Sequence, residues 1–306
     1  MSDFNMNFRD LLRRDDLCRR LAGQLCAEQG LAPVLSRIKQ GSNILYKLED
    51  GNVLKVFSPG EEDFCRNEAL FLRNLQGKLP VETPVLLHSG IFETFPFIAM
   101  SKLQGRPLSD IWEQMDREQK RRICRETGRL LRVLHNLPLG SAEGCVPKWL
   151  PFIREQREYL LENHINYGIK AGRLCEIFQF IRSGEPLEEL VPPVVCHTEI
   201  MREHLFVDSL KGRVTLTGLL DFEPSMKAIP QYDLCSAGLF VTAGDRELFG
   251  DLLEAYRPEE PIDPMDVTRM LILHRYSNLN WFIGMLPETM RNDDIETLGR
   301  YWFGTA

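Results

Sequence analysis

Three short apolar runs, closely spaced between positions 194 and 223, constrain this 306-residue chain more than any other feature. Their length and their β-branched or other apolar residues predict buried strands. The runs are residues 194–196, 205–207 and 214–220. A polar loop follows the first run, and an aspartate follows the third. This order of strand, loop, strand, turn, strand and acid predicts that Glu199, His204 and Asp221 lie at neighbouring strand ends.

The composition excludes several classes of protein. With 43% hydrophobic and 26% charged residues, the chain resembles an ordinary soluble protein with a large core in one or two lobes. No apolar run reaches the ~18 residues of a membrane span, and the first residues lack the basic and apolar regions of a signal peptide. We therefore predict a cytoplasmic protein without membrane contact. The net charge of -7 argues against nucleic acid as a partner and suits a cationic small substrate.

The 8 cysteines include no C-x-x-C pair, and most of them lie in apolar surroundings on predicted helices or strands. We predict buried free thiols in a reducing compartment and no structural zinc. Nothing in the sequence indicates the oligomeric state.

Strand patterns dominate the first hundred residues, and helical patterns dominate the rest. The predicted strands there are residues 35–38, 44–48, 53–57, 84–90 and 95–100, and the predicted helices are residues 8–29 and 61–75. Beyond residue 100, the predicted helices are residues 117–137, 147–164, 171–183, 236–242, 245–256, 266–286 and 293–303.

Three features of the strand-rich part are candidates for nucleotide binding. Gly41, Ser42 and Asn43 form either a loop that offers backbone N–H groups to phosphates or a plain hairpin turn. Lys55 alternates to the face opposite its apolar neighbours, which indicates either a phosphate ligand or a solvated charge on an edge strand. Glu68, on the following helix, is either the partner of that lysine or a surface charge.

The central segment resembles the catalytic core of the aminoglycoside phosphotransferases, which are relatives of protein kinases. Residues 197–204 read H-T-E-I-M-R-E-H and are followed by L-L-D-F at 219–222, similar to the family's H-G-D-L-x-x-x-N and I-D-F. The spacing is kept, but Glu199 replaces the family's aspartate and His204 replaces its metal-binding asparagine. The resemblance runs from about Gln40 to Gly304, and the layout is most similar to hygromycin B kinases that modify the 7″ hydroxyl.

The resemblance implies an α+β fold with two lobes, as in protein kinases. A nucleotide-binding lobe would span residues 1–100, and a mainly helical lobe for catalysis and substrate binding would span residues 101–306. The implied reaction transfers the γ-phosphate of ATP or GTP, with Mg²⁺, to a hydroxyl of an aminoglycoside-like or other hydroxylated metabolite.

The same resemblance assigns roles to residues around the nucleotide. Lys55 would hold the α- and β-phosphates, Glu68 would hold Lys55, and the loop at Gly41, Ser42 and Asn43 would cover the phosphates. Ser101 and Leu103 lie in a stretch similar to the family's crossing between lobes, where backbone groups bind adenine.

Further roles fall on the central segment. Asp221 would bind Mg²⁺, His204 occupies the second metal position, and Glu199 would accept the proton of the acceptor hydroxyl. His197 and Asp233 would support the loop from behind, and His135 is expected to be buried or to cap a helix.

The two replacements leave alternatives open. The Glu199 carboxylate reaches about 1.5 Å further than that of an aspartate, so it can act as the base only if the loop is set back. His204 is a poor ligand for Mg²⁺, so it binds weakly, or one ion on Asp221 suffices, or Glu203 or Glu223 supplies an oxygen. A nucleotide-binding pseudokinase is the alternative function.

Overall fold

The computed structural model describes residues 4, 6–39, 41–210, 212–259 and 261–304. Its first hundred residues form a five-stranded antiparallel sheet of order β1-β2-β3-β5-β4 with helices packed on it. The elements are α1 Phe8–Leu12, α2 Asp15–Gln29, β1 Val34–Ile38, β2 Ile44–Leu48, β3 Val53–Val56, α3 Glu62–Leu75, β4 Leu86–Phe92 and β5 Phe95–Met100. The predicted strands and the helix before β4 are confirmed within a few residues.

The predicted single helix over residues 8–29 is wrong, because α1 and α2 are separate. Four consecutive charged residues, Arg13 to Asp16, lie exposed at the break and offer nothing apolar to bury. On either side, Leu11 and Cys18 are fully buried. The chain therefore turns at the charged run and packs both helices on the sheet.

The alternation in β3 decides which side chains reach the site. Leu54 and Val56 pack in a core cluster with α2 on one face of the sheet. Lys55 lies on the other face, toward α3, as its position between apolar neighbours predicts. Because β3 lies between β2 and β5, this lysine is on an interior strand and is not a solvated edge charge.

The remainder of the chain is mainly helical, with two small antiparallel sheets of order β6-β8-β9 and β10-β7. Its elements are β6 Arg106–Pro107, α4 Arg117–His135, α5 Trp149–Glu158, α6 Leu160–Asn166, α7 Ala171–Ser183, α8 Leu187–Leu190, β7 Val194–Cys196, β8 Leu205–Leu210, β9 Arg213–Leu219, β10 Met226–Ala228, α9 Pro230–Ser236, α10 Arg246–Tyr256, α11 Pro264–Ile272, α12 Leu279–Gly284 and α13 Ile295–Phe303. The three strands predicted in the central segment are confirmed as β7, β8 and β9, and the fold is α+β.

Three predicted helices differ from the structure. The helix predicted over residues 147–164 is divided at Tyr159 into α5 and α6. The helix predicted from residue 236 begins earlier, as α9, and continues as a π-helical turn over Ala237–Val241. The long helix predicted over residues 266–286 ends at Ile272, and a non-helical stretch precedes α12.

The break after Ile272 has a physical cause. The ring of His274 bonds to the backbone of the polar loop after β7, and its Nδ1 accepts the N–H of Tyr276 at 3.2 Å. Asn278 then caps α12 by accepting the N–H of Trp281. These side-chain bonds to the backbone compete with the helix, and the connecting stretch becomes a wall of the site described below.

One large core runs from α3 through β7, β8 and β9 to α13. It includes Phe57 and Ile98 of the first hundred residues, so the sheet and the helical part share buried side chains. In the part of the chain that is described, no helix has both the length and the apolar content that crossing a membrane requires.

Candidate active site

The buried Lys55 lies at the centre of a partly buried cluster of carboxylates. Its Nζ atom is 2.7 Å from Glu68 Oε2, 2.6 Å from Asp221 Oδ1 and 2.8 Å from Glu223 Oε2. Burial alone would lower the pKa of Lys55, but the charges of Asp221, Glu68 and Glu223 outweigh burial and raise it. Lys55 therefore stays cationic, and residues more than 150 positions apart converge on one ammonium group.

The orientation of α3 is fixed by the residue next to Glu68. Asn67 is buried, and its amide group donates to the carbonyl oxygens of Glu223 and Ser225, both at 2.8 Å. Its Oδ1 accepts the N–H of Val146 at 3.0 Å. The helix that carries Glu68 is therefore tied directly to the backbone after Asp221.

The loop between β1 and β2 lies against the same cluster. Gly41 adopts a φ of 75°, and Gly41 and Ser42 are exposed. Asn43 is buried and donates from Nδ2 to Glu223 Oε2 at 3.1 Å. The loop thus approaches Lys55 through Glu223, while Gln40 lies outside the described residues.

The segment after β5 contacts the chain just before β4 and strand β9. Ser101 donates its N–H to the Val85 carbonyl at 2.9 Å, and its hydroxyl accepts the Val85 N–H at 2.8 Å. A backbone contact from Ser101 to adenine would therefore use its carbonyl oxygen. Leu103 is buried against Gly218 of β9, where a Cβ atom would come within 2.9 Å of the leucine side chain.

The polar loop after β7 is held from below by Asp233 of α9. Its carboxylate accepts the N–H of His197 at 2.9 Å and the N–H of Thr198 at 2.6 Å. His135 Nε2 lies 3.0 Å from the same carboxylate, and His135 Nδ1 lies 2.9 Å from the Tyr256 hydroxyl. Burial alone would raise the pKa of Asp233, but His135 and His197 hold it below its ordinary value.

Thr198 has a backbone conformation that is unusual for a β-branched residue. Its φ is 71°, at the position where the family pattern has glycine. Such a conformation costs ~1–3 kcal/mol and persists only where the surroundings impose it. Its N–H donates to Asp233, its hydroxyl donates to the Pro224 carbonyl at 3.1 Å, and its carbonyl accepts from His274 Nε2 at 3.0 Å. These three bonds hold the loop in place.

The ring of His197 is neutral and holds the backbone of Glu199. Burial, followed by the charge of His204, lowers the pKa of His197 to about 4. Its Nδ1 accepts the N–H of Glu199 at 3.3 Å, and its Nε2 then donates to the Leu220 carbonyl at 3.0 Å. His197 thus links the loop to the end of β9.

Glu199 is 6% exposed, and its carboxylate has charged neighbours from two parts of the chain. Its carboxylate, the His204 ring and the Asp221 carboxylate offer ligand atoms within 4.8 Å of one another. On the other side, Arg275 Nη1 is 3.5 Å from Glu199 Oε1. Burial raises the pKa of Glu199, and the charges of Arg275 and His204 oppose that rise.

Both ring nitrogens of His204 already have partners. Nδ1 is 2.9 Å from the Glu199 carbonyl oxygen, and Nε2 is 3.1 Å from Asp221 Oδ2. Burial lowers the pKa of His204, but the hydrogen bond to Asp221 and the charges of Asp221 and Glu199 raise it to about 9. Asp221, between Lys55 and His204, has a pKa well below its ordinary value despite burial.

Three groups of described residues have the separation of metal ligands: His135, Cys196 and Asp233 beneath the loop, and two groups that share Asp221. Glu68, Asp221 and Glu223 offer carboxylate oxygens within 4.8 Å of one another, the hard donors that Mg²⁺ prefers. The group of Glu199, His204 and Asp221 contains an imidazole, which suits transition metals better. The donor chemistry of the all-carboxylate group therefore fits Mg²⁺.

Sequence reasoning missed four residues that shape the site: Asn67, Thr198, His274 and Arg275. The pattern H-T-E against H-G-D does contain a signal for Thr198, because a residue in a glycine position inherits the left-handed backbone. For Asn67, His274 and Arg275 the contacts join distant parts of the chain, and the local pattern carries no signal.

The comparisons with known proteins agree with this geometry. A model of the phosphotransferase enzyme family matches residues 35–267. A wild-type aminoglycoside 2′-phosphotransferase-IIIa in its GDP complex is similar in structure, with a TM-score of 0.66, 16% identity and coverage of 91% of this chain and 94% of that one.

Two further solved structures are similar at the same level. The GDP and kanamycin complex of an APH(2″) enzyme has a TM-score of 0.67 and 15% identity, covering 90% of this chain and 96% of the other. Macrolide 2′-phosphotransferase MphH from Brachybacterium faecium has a TM-score of 0.60 and 17% identity, covering 92% and 97%. These likenesses show the fold, and the family model matches more than two thirds of the chain. The chain therefore belongs to the phosphotransferase enzyme family, as an enzyme that transfers phosphate to an alcohol group.

Proposed function

We propose that the protein is a small-molecule kinase that transfers the γ-phosphoryl group of ATP or GTP to a hydroxyl of its acceptor. The observation that carries the proposal is the convergence of Lys55, Glu68 and Asp221 within hydrogen-bonding distance. Phosphoryl transfer needs positioning and charge stabilisation more than covalent help. A buried lysine held by two carboxylates supplies a fixed positive charge for the phosphates.

We assign the nucleotide to the space between residues 1–100 and 101–306, the two proposed lobes. Lys55 binds the α- and β-phosphates, and the backbone N–H groups of Gly41 and Ser42 face the β- and γ-phosphates. Leu103 and the Ser101 carbonyl border adenine. To admit phosphates, Glu223 has to exchange its contact with Lys55 for another partner.

The metal belongs to Asp221. Asp221 would hold Mg²⁺ there, and the ion would supply positive charge against the negative charge that develops during transfer. Glu223 is the better second ligand, because it offers a carboxylate close to Asp221. His204 has both nitrogens engaged and carries its proton at neutral pH, so we assign it to holding Asp221 and the Glu199 backbone.

Glu199 is the proposed base. Its carboxylate is adjacent to Asp221 and His204. The longer side chain is accommodated because Asp233, His197 and His274 hold the loop, and Arg275 holds the end of the carboxylate. Glu199 accepts the proton of the acceptor hydroxyl as that oxygen attacks phosphorus.

We propose a hydroxyl-rich small molecule as the acceptor. The similar solved structures are named as aminoglycoside and macrolide phosphotransferases. The hygromycin B type, expected from the layout of the sequence, remains one candidate within this class. Choline, homoserine or a sugar would use the same catalytic residues.

Nucleotide binding tests the proposal first. Thermal shift with Mg-ATP and Mg-GTP should show stabilisation, because a ligand that binds only the folded state stabilises it. Lys55→Ala and Asp221→Asn should abolish the shift, while Lys47→Ala on the neighbouring strand serves as a control. The absence of a shift at millimolar nucleotide would contradict the kinase and the pseudokinase alike.

The pseudokinase is the second candidate, and the replacements at Glu199 and His204 favour it. The two functions differ in turnover alone. A screen of ATP consumption against a panel of alcohols separates them, because clear nucleotide binding without any turnover would favour the pseudokinase.

A further inference from the structure

We propose that Arg275 binds an acidic group of the acceptor, so that the acceptor is a hydroxylated acid whose carboxylate or phosphate lies near the reacting hydroxyl. The inference rests on the proposed function, because it names the acceptor class for the same site. It differs from the expectation of a cationic substrate that the net charge of the chain suggests.

The first step is the position of Arg275 in the stretch between α11 and α12. Its N–H donates to the Tyr232 hydroxyl at 3.2 Å, which fixes the backbone to α9. Its guanidinium lies over the ring of Phe152 on α5, with Cζ 4.9 Å from the centroid. The next residue toward the N-terminus, His274, bonds to the Thr198 carbonyl. Arg275 is therefore held rigidly beside the loop that carries Glu199.

The second step is that the guanidinium has donors without acceptors. Nε and Nη2 are covered and have no hydrogen-bond partner in the described part of the chain. The contact of Nη1 with Glu199 Oε1 is 3.5 Å, longer than a charge-assisted hydrogen bond. A largely buried cation with unused donors is costly unless a ligand completes its pairing.

The third step is the contact of Arg275 with the proposed base. Arg275 Nη1 is 3.5 Å from Glu199 Oε1, and Glu199 has to hydrogen-bond the acceptor hydroxyl to take its proton. The acceptor therefore lies against Glu199, with its other groups within reach of the side chains around that carboxylate. The Arg275 side chain keeps 17% of its surface exposed, and Tyr276 beside it is 45% exposed, so both are partly open to solvent.

The fourth step is charge. Nη1 and Nη2 are the two tips of the guanidinium fork, a geometry that matches carboxylate and phosphate oxygens. An oxyanion of the acceptor that reaches Nη1 would receive a charge-assisted hydrogen bond from it. An ammonium group in the same place would be repelled by Arg275. The residue thus favours acidic acceptors and disfavours cationic ones.

The experiment compares matched acceptors that differ in one group. One set is glucuronate, glucose 6-phosphate, glucose and glucosamine, and a three-carbon set is glycerate, glycerol 3-phosphate, glycerol and 3-amino-1,2-propanediol. ADP release is measured for each, together with thermal stabilisation of the Mg-ADP complex. We expect an acid in at least one set to exceed its amine counterpart by ~10- to 100-fold, the range of a charge-assisted hydrogen bond. The carboxylate and phosphate members show which oxyanion is preferred.

Variants assign the preference to Arg275. Arg275→Met should remove the advantage of the acid while nucleotide binding is kept, and Arg275→Lys should keep part of it. Arg269→Met is the matched control. Arg269 also stacks on a phenylalanine, with Cζ 5.0 Å from the Phe180 centroid, and also has an unpartnered Nε, but it pairs with Asp266 away from Glu199.

Three results would overturn the inference. One is that the parent enzyme prefers the amine in both sets. Another is that Arg275→Met lowers the rate of ADP release with every acceptor by the same factor, as the loss of a purely structural residue would. The third is that Mg-ATP binds but no acid stabilises the complex or is phosphorylated, which leaves the proposed function standing. Loss of nucleotide binding in the parent would instead contradict the proposed function itself.

Discussion

Two groups of residues that contact the loop of Glu199 differ in how completely their polar atoms are paired. On the proposed phosphate side, Lys55 has three carboxylates within hydrogen-bonding distance, and Asp233 beneath the loop accepts from three donors. On the proposed acceptor side, Arg275 Nη1 is 3.5 Å from Glu199, and Nε and Nη2 have no hydrogen-bond partner among the described residues. The charged groups of the first side are therefore paired in the free chain, whereas we propose that the acceptor completes the pairing of Arg275.

Glu199→Gln changes the residue that the proposal places between the two sides. Its effect on turnover should be the largest of the predicted effects. The substitution keeps the shape of the side chain but removes the proton acceptor, so turnover should fall by ~10²–10⁴-fold, as is typical for loss of a general base. Affinity for Mg-ATP should persist, because the phosphate side is intact. Rates are measured by ADP release with an acceptor identified as above.

The control for this prediction is Glu203→Gln on the same loop. Near-parental turnover of Glu199→Gln would refute the assignment and direct attention to Glu203 and Glu223.

Asp233→Ala tests how much the paired polar groups beneath the loop contribute to the free energy of unfolding. The substitution leaves the N–H groups of His197 and Thr198 and the ring of His135 without their buried acceptor. Breaking a buried charge network of this kind costs ~3–5 kcal/mol. Urea unfolding measures the difference in the free energy of unfolding between the variant and the parent. Asp63→Asn is the control, because Asp63 forms an exposed ion pair with Arg66. A loss below 1 kcal/mol would mean that this network does not hold the loop.

His204→Asn tests the proposed phosphate side through the pH dependence of the free energy of unfolding. The pKa of His204 is raised to about 9 in the folded chain, against about 6.5 when unfolded. The stability that the protonated ring contributes is fully present below pH 6.5 and is lost as pH rises through 9. This contribution is at most about 3 kcal/mol, and the variant should lack it.

Free energies of unfolding at pH 6, 7.5 and 10, without metal or nucleotide, test the pH prediction. His88→Asn at an exposed site on β4 is the control. Identical pH dependence of the parent and His204→Asn would contradict the assigned proton. In the presence of Mg²⁺, His204→Asn should bind nucleotide at least as tightly as the parent, because asparagine offers an oxygen.

Thr198 gives the smallest expected effect. Thr198→Ala keeps the left-handed backbone and loses the hydroxyl bond to Pro224, while Thr198→Gly removes the conformational cost. We expect Thr198→Gly to be more stable than Thr198→Ala by about 1 kcal/mol. Thermal unfolding measures the difference, and equal stabilities would show that the loop is not strained at this position.

The phosphate side was largely predictable from the sequence, and the reason is local. The strand pattern around Lys55 fixes its face, and the pairing of β8 with β9 places Asp221 at the strand end beside the loop that carries Glu199 and His204. His135 was expected to be buried or capping, and it is buried against Asp233.

The acceptor side was not predictable, and the reason is distance along the chain. The apolar pattern over residues 266–286 predicts one helix, but the bond of His274 to Thr198, 76 positions away, interrupts it. Only that interruption brings Arg275 to Glu199. The contacts of Asn67 with residues 223 and 225 span more than 150 positions. Such contacts depend on tertiary packing, which periodicity does not report.

The hydrogen bonds of Asn67 have a consequence for control of the enzyme. Protein kinases are silenced when the helix bearing the lysine's glutamate partner moves away. Here the same movement of α3 would break three hydrogen bonds of a buried amide, and each buried group left unpaired costs ~1–3 kcal/mol. The three bonds therefore favour the position of α3 in which Glu68 contacts Lys55. For the proposed kinase, they oppose silencing by a movement of this helix.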